Sequence, residues 1–196
     1  MPRIQWSHIF FPGLVFHELS HYMACLIFGV KVNEVKLFST TEAYVSHDVP
    51  NAWQGILISV APFAVGNFFG YYLLGLANEL VMNSIIAACI LYWFSIGILF
   101  YAFPSMHDAL NAFNGVKNFY ADKLVSGKIF SRLLWLITAP FVFLPLFLLT
   151  GLLLVMDYSL LLKALWVVFV VLAFWSPELI KSLVDTLFQA IMYIFI

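Results

Sequence analysis

Apolar residues run almost unbroken through four long stretches of this chain, at about residues 4–29, 53–78, 82–103 and 133–156. Each is long enough to cross the roughly 30 Å hydrocarbon core of a bilayer as a helix. A last apolar stretch, Leu160 to Ile196, is interrupted at Ser176-Pro177-Glu178 and carries Lys163, Lys181 and Asp185. It is expected to form two shorter spans, about 159–176 and 178–196, with one span plus an interfacial helix as the alternative. The pattern predicts an all-α polytopic membrane protein of about six transmembrane segments, with no internal repeat and no soluble domain.

Two connections depart from ordinary loops. Between the first two spans, Val30 to Phe38 and Ala43 to Ser46 are rich in β-branched and aromatic residues, and Ser39-Thr40-Thr41-Glu42 joins them. That is the signature of a β-hairpin over residues 30–46, whose free edge, with Val35 and Leu37 on it, offers backbone groups to a partner strand. After the third span, Phe103-Pro104-Ser105-Met106-His107-Asp108 stops a helix at its proline, and Ala109 to Asn114 restarts one. The break over 104–114 puts Asp108 at a new helix start, where an Asp also serves as an N-cap.

Composition agrees with a lipid environment: 64% of residues are hydrophobic and 10% charged, and mean hydropathy is +1.00. The net charge of -1 singles out no partner, and Cys25 and Cys89 supply no disulfide framework. Membrane lipid is the partner that composition predicts, and no nucleic acid is expected. The N-terminus lacks the build of a cleaved secretory signal and is expected to be retained. Basic residues set the orientation. Lys31 and Lys36 lie in the hairpin and Lys117, Lys123, Lys128 and Arg132 in the 104–132 segment, whereas the N-terminus has Arg3 and the 79–81 turn has none. The two basic connections are therefore expected in the cytoplasm.

The candidate chemistry lies inside the first span, where the chain reads His17-Glu18-Leu19-Ser20-His21. Four residues on an α-helix turn the two imidazoles only about 40° apart, one turn along the axis, so both can hold one Zn²⁺ with Glu18 beside them. A pair of histidines bonding between helices is the bland alternative, but ionisable groups at membrane depth mark function by default. A catalytic zinc takes three protein ligands, and Asp108 is the preferred third, because irregular backbone at membrane depth must line a cavity or be buried in protein. Cys25, one turn past His21, and His107, beside Asp108, are the competing donors. His8 is expected near the interface, and His47 and Asp48 in a solvated loop.

Such a site implies hydrolysis, with Glu18 as the general base. A helical substrate must first unwind, and the hairpin edge can receive the unwound segment by strand addition. Asn67 in the second span either donates to the developing oxyanion or bonds another helix. Together, the membrane-embedded His17-Glu18-Leu19-Ser20-His21 box, the following hairpin, a second span containing Ala61-Pro62 and Asn67, and a late Asp108 at a broken helix resemble the site-2 protease family of intramembrane zinc metalloproteases, over about residues 8–115. The resemblance implies a three-helix catalytic core within residues 1–115, zinc on His17, His21 and Asp108, catalysis by Glu18, and cleavage of transmembrane substrates from the cytoplasmic side. Two departures stand out: Ala109 follows Asp108 where the family commonly has Gly, and Asn67 trails Pro62 by a longer gap. Residues 116–196 lie outside the resemblance as C-terminal membrane segments. A catalytically silent protein of this fold, binding or regulating a partner, is the alternative. A small transporter would instead spread polar groups along several spans.

Overall fold

The computed structural model describes residues 9–37, 43–178, 181, 182, 185, 186 and 189. The described residues form six helices and one two-stranded sheet, in the order α1 (Phe11–Ile27), β1 (Val32–Lys36), β2 (Tyr44–His47), α2 (Ala52–Leu80), α3 (Ile85–Phe100), α4 (Met106–Ser126), α5 (Ile129–Tyr158) and α6 (Leu160–Trp175). The expected hairpin tip, most of the expected last span and His8 lie outside the described residues.

Helix α1 ends because Gly29 takes a left-handed φ of 67°, which lets Val30 N–H reach Cys25 C=O at 2.8 Å and Gly29 N–H reach Leu26 C=O at 3.3 Å. This Schellman closure turns the chain into the antiparallel pair β1 and β2, in which Val35 faces Val45 and Lys36 faces Tyr44. Helix α2 begins with a capping box in which Asn51 and Gln54 exchange bonds of 2.9 Å. The Gln54 amide also donates to Phe28 C=O, fixing the start of α2 to the end of α1.

The helices α1, α2 and α3 pack on one another, α4 lies against α2 and α5, and α6 against α3. Small residues set the spacing. A β-carbon at Gly13 would overlap the carbonyl of Gly97, so α1 and α3 cross backbone to backbone there. Between α2 and α3, Ser95 Oγ donates to Gly70 C=O at 2.6 Å in a fully buried contact. Leu74, Leu99, Phe100, Val167 and Val170 form one apolar cluster; Ala24, Cys25, Val30 and Ile58 form another.

The helix restart after Pro104 is longer and earlier than the sequence suggests: α4 opens at Met106, capped by Ser105, and runs for 21 residues. Its stability comes from an amphipathic face, since Ala109, Ala112, Val116 and Tyr120 are buried at helical spacing while Asn111, Asn114 and Lys117 are exposed. Ser84 caps α3 and Tyr101 ends it, which leaves 16 residues where the apolar run suggests 22. At 1.5 Å per residue that helix covers about 24 Å. Two helices, Ala52–Leu80 and Ile129–Tyr158, are long and apolar enough to cross a membrane.

Candidate metal centre

His17 and His21 are both buried on the face of α1 that meets α2 and α3. Their Nε2 atoms lie 3.2 Å apart. Asp108 completes a triangle, with Oδ2 at 3.4 Å from His17 Nε2 and Oδ1 at 3.3 Å from His21 Nε2. Zinc–nitrogen bonds of about 2.05 Å at a tetrahedral angle place neighbouring ligand atoms about 3.3 Å apart, so these separations match the edges of a zinc coordination shell. Among the described residues, His17, His21 and Asp108 are the group able to hold a metal ion.

The protonation pattern of the imidazoles follows from what stands behind them. His17 Nδ1 lies 2.7 Å from Tyr101 C=O and His21 Nδ1 lies 2.9 Å from Ile58 C=O. A carbonyl can only accept, so each Nδ1 carries the proton and donates it, and in the neutral imidazole this leaves the Nε2 lone pair facing the other ring and the carboxylate. Buried acceptors that converge without a donor between them repel, and a cation at their centre relieves this. A carbonyl behind each ring fixes its tautomer and orientation, as a histidine able to hold a metal ion requires.

Both carbonyls are free for reasons written in the chain. Tyr101 is the C-cap of α3, beyond which no helical N–H returns to it. Ile58 is in mid-helix, but its partner four residues on is Pro62, which has no N–H to give. The proline in α2 thereby turns a helix carbonyl into the acceptor for His21.

Asp108 is the third residue of α4, not its N-cap as the sequence suggests. Ser105 is the cap, and its N–H and Oγ–H donate to Asp108 Oδ2 at 2.8 and 2.7 Å, while Asp108 N–H returns to Ser105 Oγ at 3.2 Å. One carboxylate thus closes the capping box and faces both histidines.

Glu18 lines the same cavity, of about 660 Å³, with His21, Asp108, His107 and strand β2. It faces the backbone N–H of Val45 and lies beside His17, His21 and Asp108. The strand beside the site is therefore β2, residues 44–47, whereas the sequence reading favours Val35 and Leu37; Val35 sits on β1, across the pair, and Leu37 just beyond it. His47 belongs to the strand end and lines this cavity as well as a second one shared with Asp108 and Asn111; Asp48 accepts from Asn33. Cys25 is packed in the apolar cluster with Ile58, and His107 is exposed, so neither joins the triangle.

Asn67 takes the other of its two readings. Its Nδ2 donates to Phe63 C=O at 2.8 Å within α2, and its Oδ1 accepts from Trp166 Nε1 at 3.0 Å, linking α2 to α6. It does not line the site cavity. Sequence reasoning missed the two backbone carbonyls and Ser105. Only Pro62 and the Ser-x-x-Asp spacing at 105–108 carry a readable trace of them.

No family model matches this chain, and neither does any curated protein or solved structure.

Proposed function

We propose that this protein is a zinc endopeptidase of the site-2 protease kind, hydrolysing peptide bonds within or near transmembrane helices of membrane-protein substrates. The observation that carries the reading is the triangle of His17 Nε2, His21 Nε2 and the Asp108 carboxylate, with edges of 3.2 to 3.4 Å, beside a non-ligating Glu18. Zinc held there polarises a carbonyl oxygen and brings the pKa of bound water to about 7.

The chain's own residues supply the rest. Glu18 accepts the proton of the attacking water and passes it to the leaving amine, so the carboxylate is restored when the peptide bond has broken. Strand β2 presents its edge to the cavity at Val45, and a locally unwound substrate segment adds there as a further strand, exposing the scissile carbonyl. Unwinding is needed because a helical carbonyl is already bonded within its own helix.

A membrane setting is supported by α2 and α5, and by the outer surface of α5, which buries Thr150 but leaves Phe130, Phe141, Leu144 and Phe147 exposed. So large an apolar surface is unsuited to water. We infer a multi-pass chain with the site inside the bilayer, opening to the cytoplasm on the side of Lys31, Lys36, Lys117 and Lys123.

The test is purification in detergent with metal analysis, then incubation of the wild type and Glu18→Gln with transmembrane peptides. The expected result is one zinc per chain in both proteins and cleavage reduced at least about 100-fold in the variant, the lower range for loss of a general base. Equal cleavage by the two proteins refutes the role of Glu18, and zinc without cleavage by either favours a silent binding protein of the same fold.

A further inference from the structure

We infer that the ion pair Asp157–Lys163, contributed by the C-terminal helices, positions the metal centre by gripping the segment between Tyr101 and Asp108 at two points. The inference rests on the metal-site reading and extends it to residues outside the catalytic core.

Between Ile129 and Trp175 the charged residues are Arg132, Asp157 and Lys163. Arg132 is engaged locally, donating to Gly127 C=O and Val125 C=O at the end of α4. Asp157 and Lys163 are different. They flank Ser159, at which α5 passes into α6, and form a pair of 2.8 Å with side chains only 29% and 13% exposed. A sheltered ion pair is seldom more stabilising than apolar residues of the same size, so stability alone gives little reason to have one in so apolar a region.

Their remaining contacts supply a reason. Asp157 Oδ2 accepts from the backbone N–H of Met106 at 3.1 Å, 51 residues away in sequence. That N–H belongs to the first residue of α4 and has no partner within the helix. Asp108 lies two residues further on. Lys163 Nζ sits 6.0 Å from the centre of the Tyr101 ring, and the carbonyl of Tyr101 is the one that orients His17. The same pair therefore holds the residue behind one histidine and the helix turn that bears the carboxylate. The segment from 101 to 108 contains the proline-broken joint, where no helix hydrogen bonding fixes the relative position of its two ends. An external clamp is what such a joint lacks.

A plain staple of the α5–α6 turn would require only the contact between Asp157 and Lys163. The two roles separate because a lysine at position 157 can pair with an aspartate at 163 but cannot accept from Met106 N–H. Zinc affinity should be measured by competition with a chromophoric chelator on the purified full chain in detergent, together with the visible bands of the cobalt-substituted protein, which report the ligand geometry. Asp157→Leu is expected to weaken zinc binding about 10- to 100-fold, the range for loss of a group that supports a metal ligand. Asp157→Asn, whose single amide oxygen can accept from Met106 N–H but not from Lys163 as well, keeps one of the two grips and is expected to weaken zinc binding less than Asp157→Leu, by about 10-fold at most. The exchange Asp157→Lys with Lys163→Asp is expected to remain as weak as Asp157→Leu and to show altered cobalt bands. Wild-type affinity in Asp157→Leu overturns the inference, as does full recovery in the exchange variant, which reduces the pair to a staple. If Asp157→Leu does not fold, the comparison of Asp157→Asn with the exchange decides the matter. A wild type that binds no zinc overturns the metal-site reading itself, and is distinguishable because it fails before any variant is compared.

Discussion

Replacing Pro62 by alanine returns a backbone N–H to the position four residues after Ile58, and so creates a competitor for the carbonyl that His21 uses. Two effects on the fold oppose one another. Alanine is favoured over proline in a helix interior by about 3 kcal/mol. Pro62 is fully buried, and losing its two outer ring carbons costs about 0.8 kcal/mol each. The apo protein should therefore gain about 1.4 kcal/mol at most, the difference between these two contributions. Metal binding should move the other way. Losing the group behind a ligating histidine typically costs 10- to 100-fold in affinity, and because a carbonyl oxygen has a second lone pair the His21 bond is weakened but not abolished. The expected loss is about 10-fold, or about 1.4 kcal/mol. The assay is chelator competition for zinc alongside thermal melting of the metal-free protein. A stability that holds or rises while affinity falls is the signature. Wild-type zinc affinity in a folded Pro62→Ala protein refutes the argument that the freed carbonyl fixes His21.

Three further outcomes follow from contacts around the site. Ser105→Ala removes the Oγ that accepts from Asp108 N–H and donates to Asp108 Oδ2, leaving only the backbone N–H bond to that carboxylate, so thermal stability should fall by about 1 kcal/mol and zinc affinity with it; a melting curve and a zinc titration check both. Gly13→Ala drives a β-carbon into the Gly97 carbonyl and should destabilise by about 1–3 kcal/mol, whereas Gly97→Ala meets only ordinary contacts, the nearest at 3.5 Å, and should melt within about 0.5 kcal/mol of wild type. Equal melting of the two glycine variants would contradict the backbone crossing. Asn67→Leu leaves Trp166 Nε1–H without its acceptor and should lower stability by about 1 kcal/mol with zinc content unchanged, as metal analysis of the purified variant will show.

The parts of this protein legible in its sequence are those fixed by local pattern. The His-Glu-x-x-His spacing brings two imidazoles to one helix face regardless of what surrounds them, and β-branched runs around a polar turn make the hairpin. The long apolar runs gave the helices, with ends set by caps that hydropathy does not register, such as Ser84 and Gly29. Less legible were relations between distant segments. Hairpin side chains alone do not say which of two strands faces α1, so Val35 and Leu37 were favoured over the strand containing Val45. Helix α4 is polar enough that the sequence marks only its first part, Ala109 to Asn114, as helical, because its burial comes from a narrow stripe of alanines, valine and tyrosine. Asn67 had two chemically equal uses, and only the position of Trp166 distinguishes them.

The parts of the centre arrive in a fixed order during synthesis. His17 and His21 are made first, the acceptor at Ile58 next, then Tyr101, and the carboxylate of Asp108 after them. A ribosome that has completed only the first two helices has produced neither the carbonyl behind His17 nor the carboxylate that faces both histidines. Under the proposed function, hydrolytic competence would be withheld from the nascent chain until α4 has formed, so the order of synthesis would itself guard neighbouring polypeptides from an incomplete site.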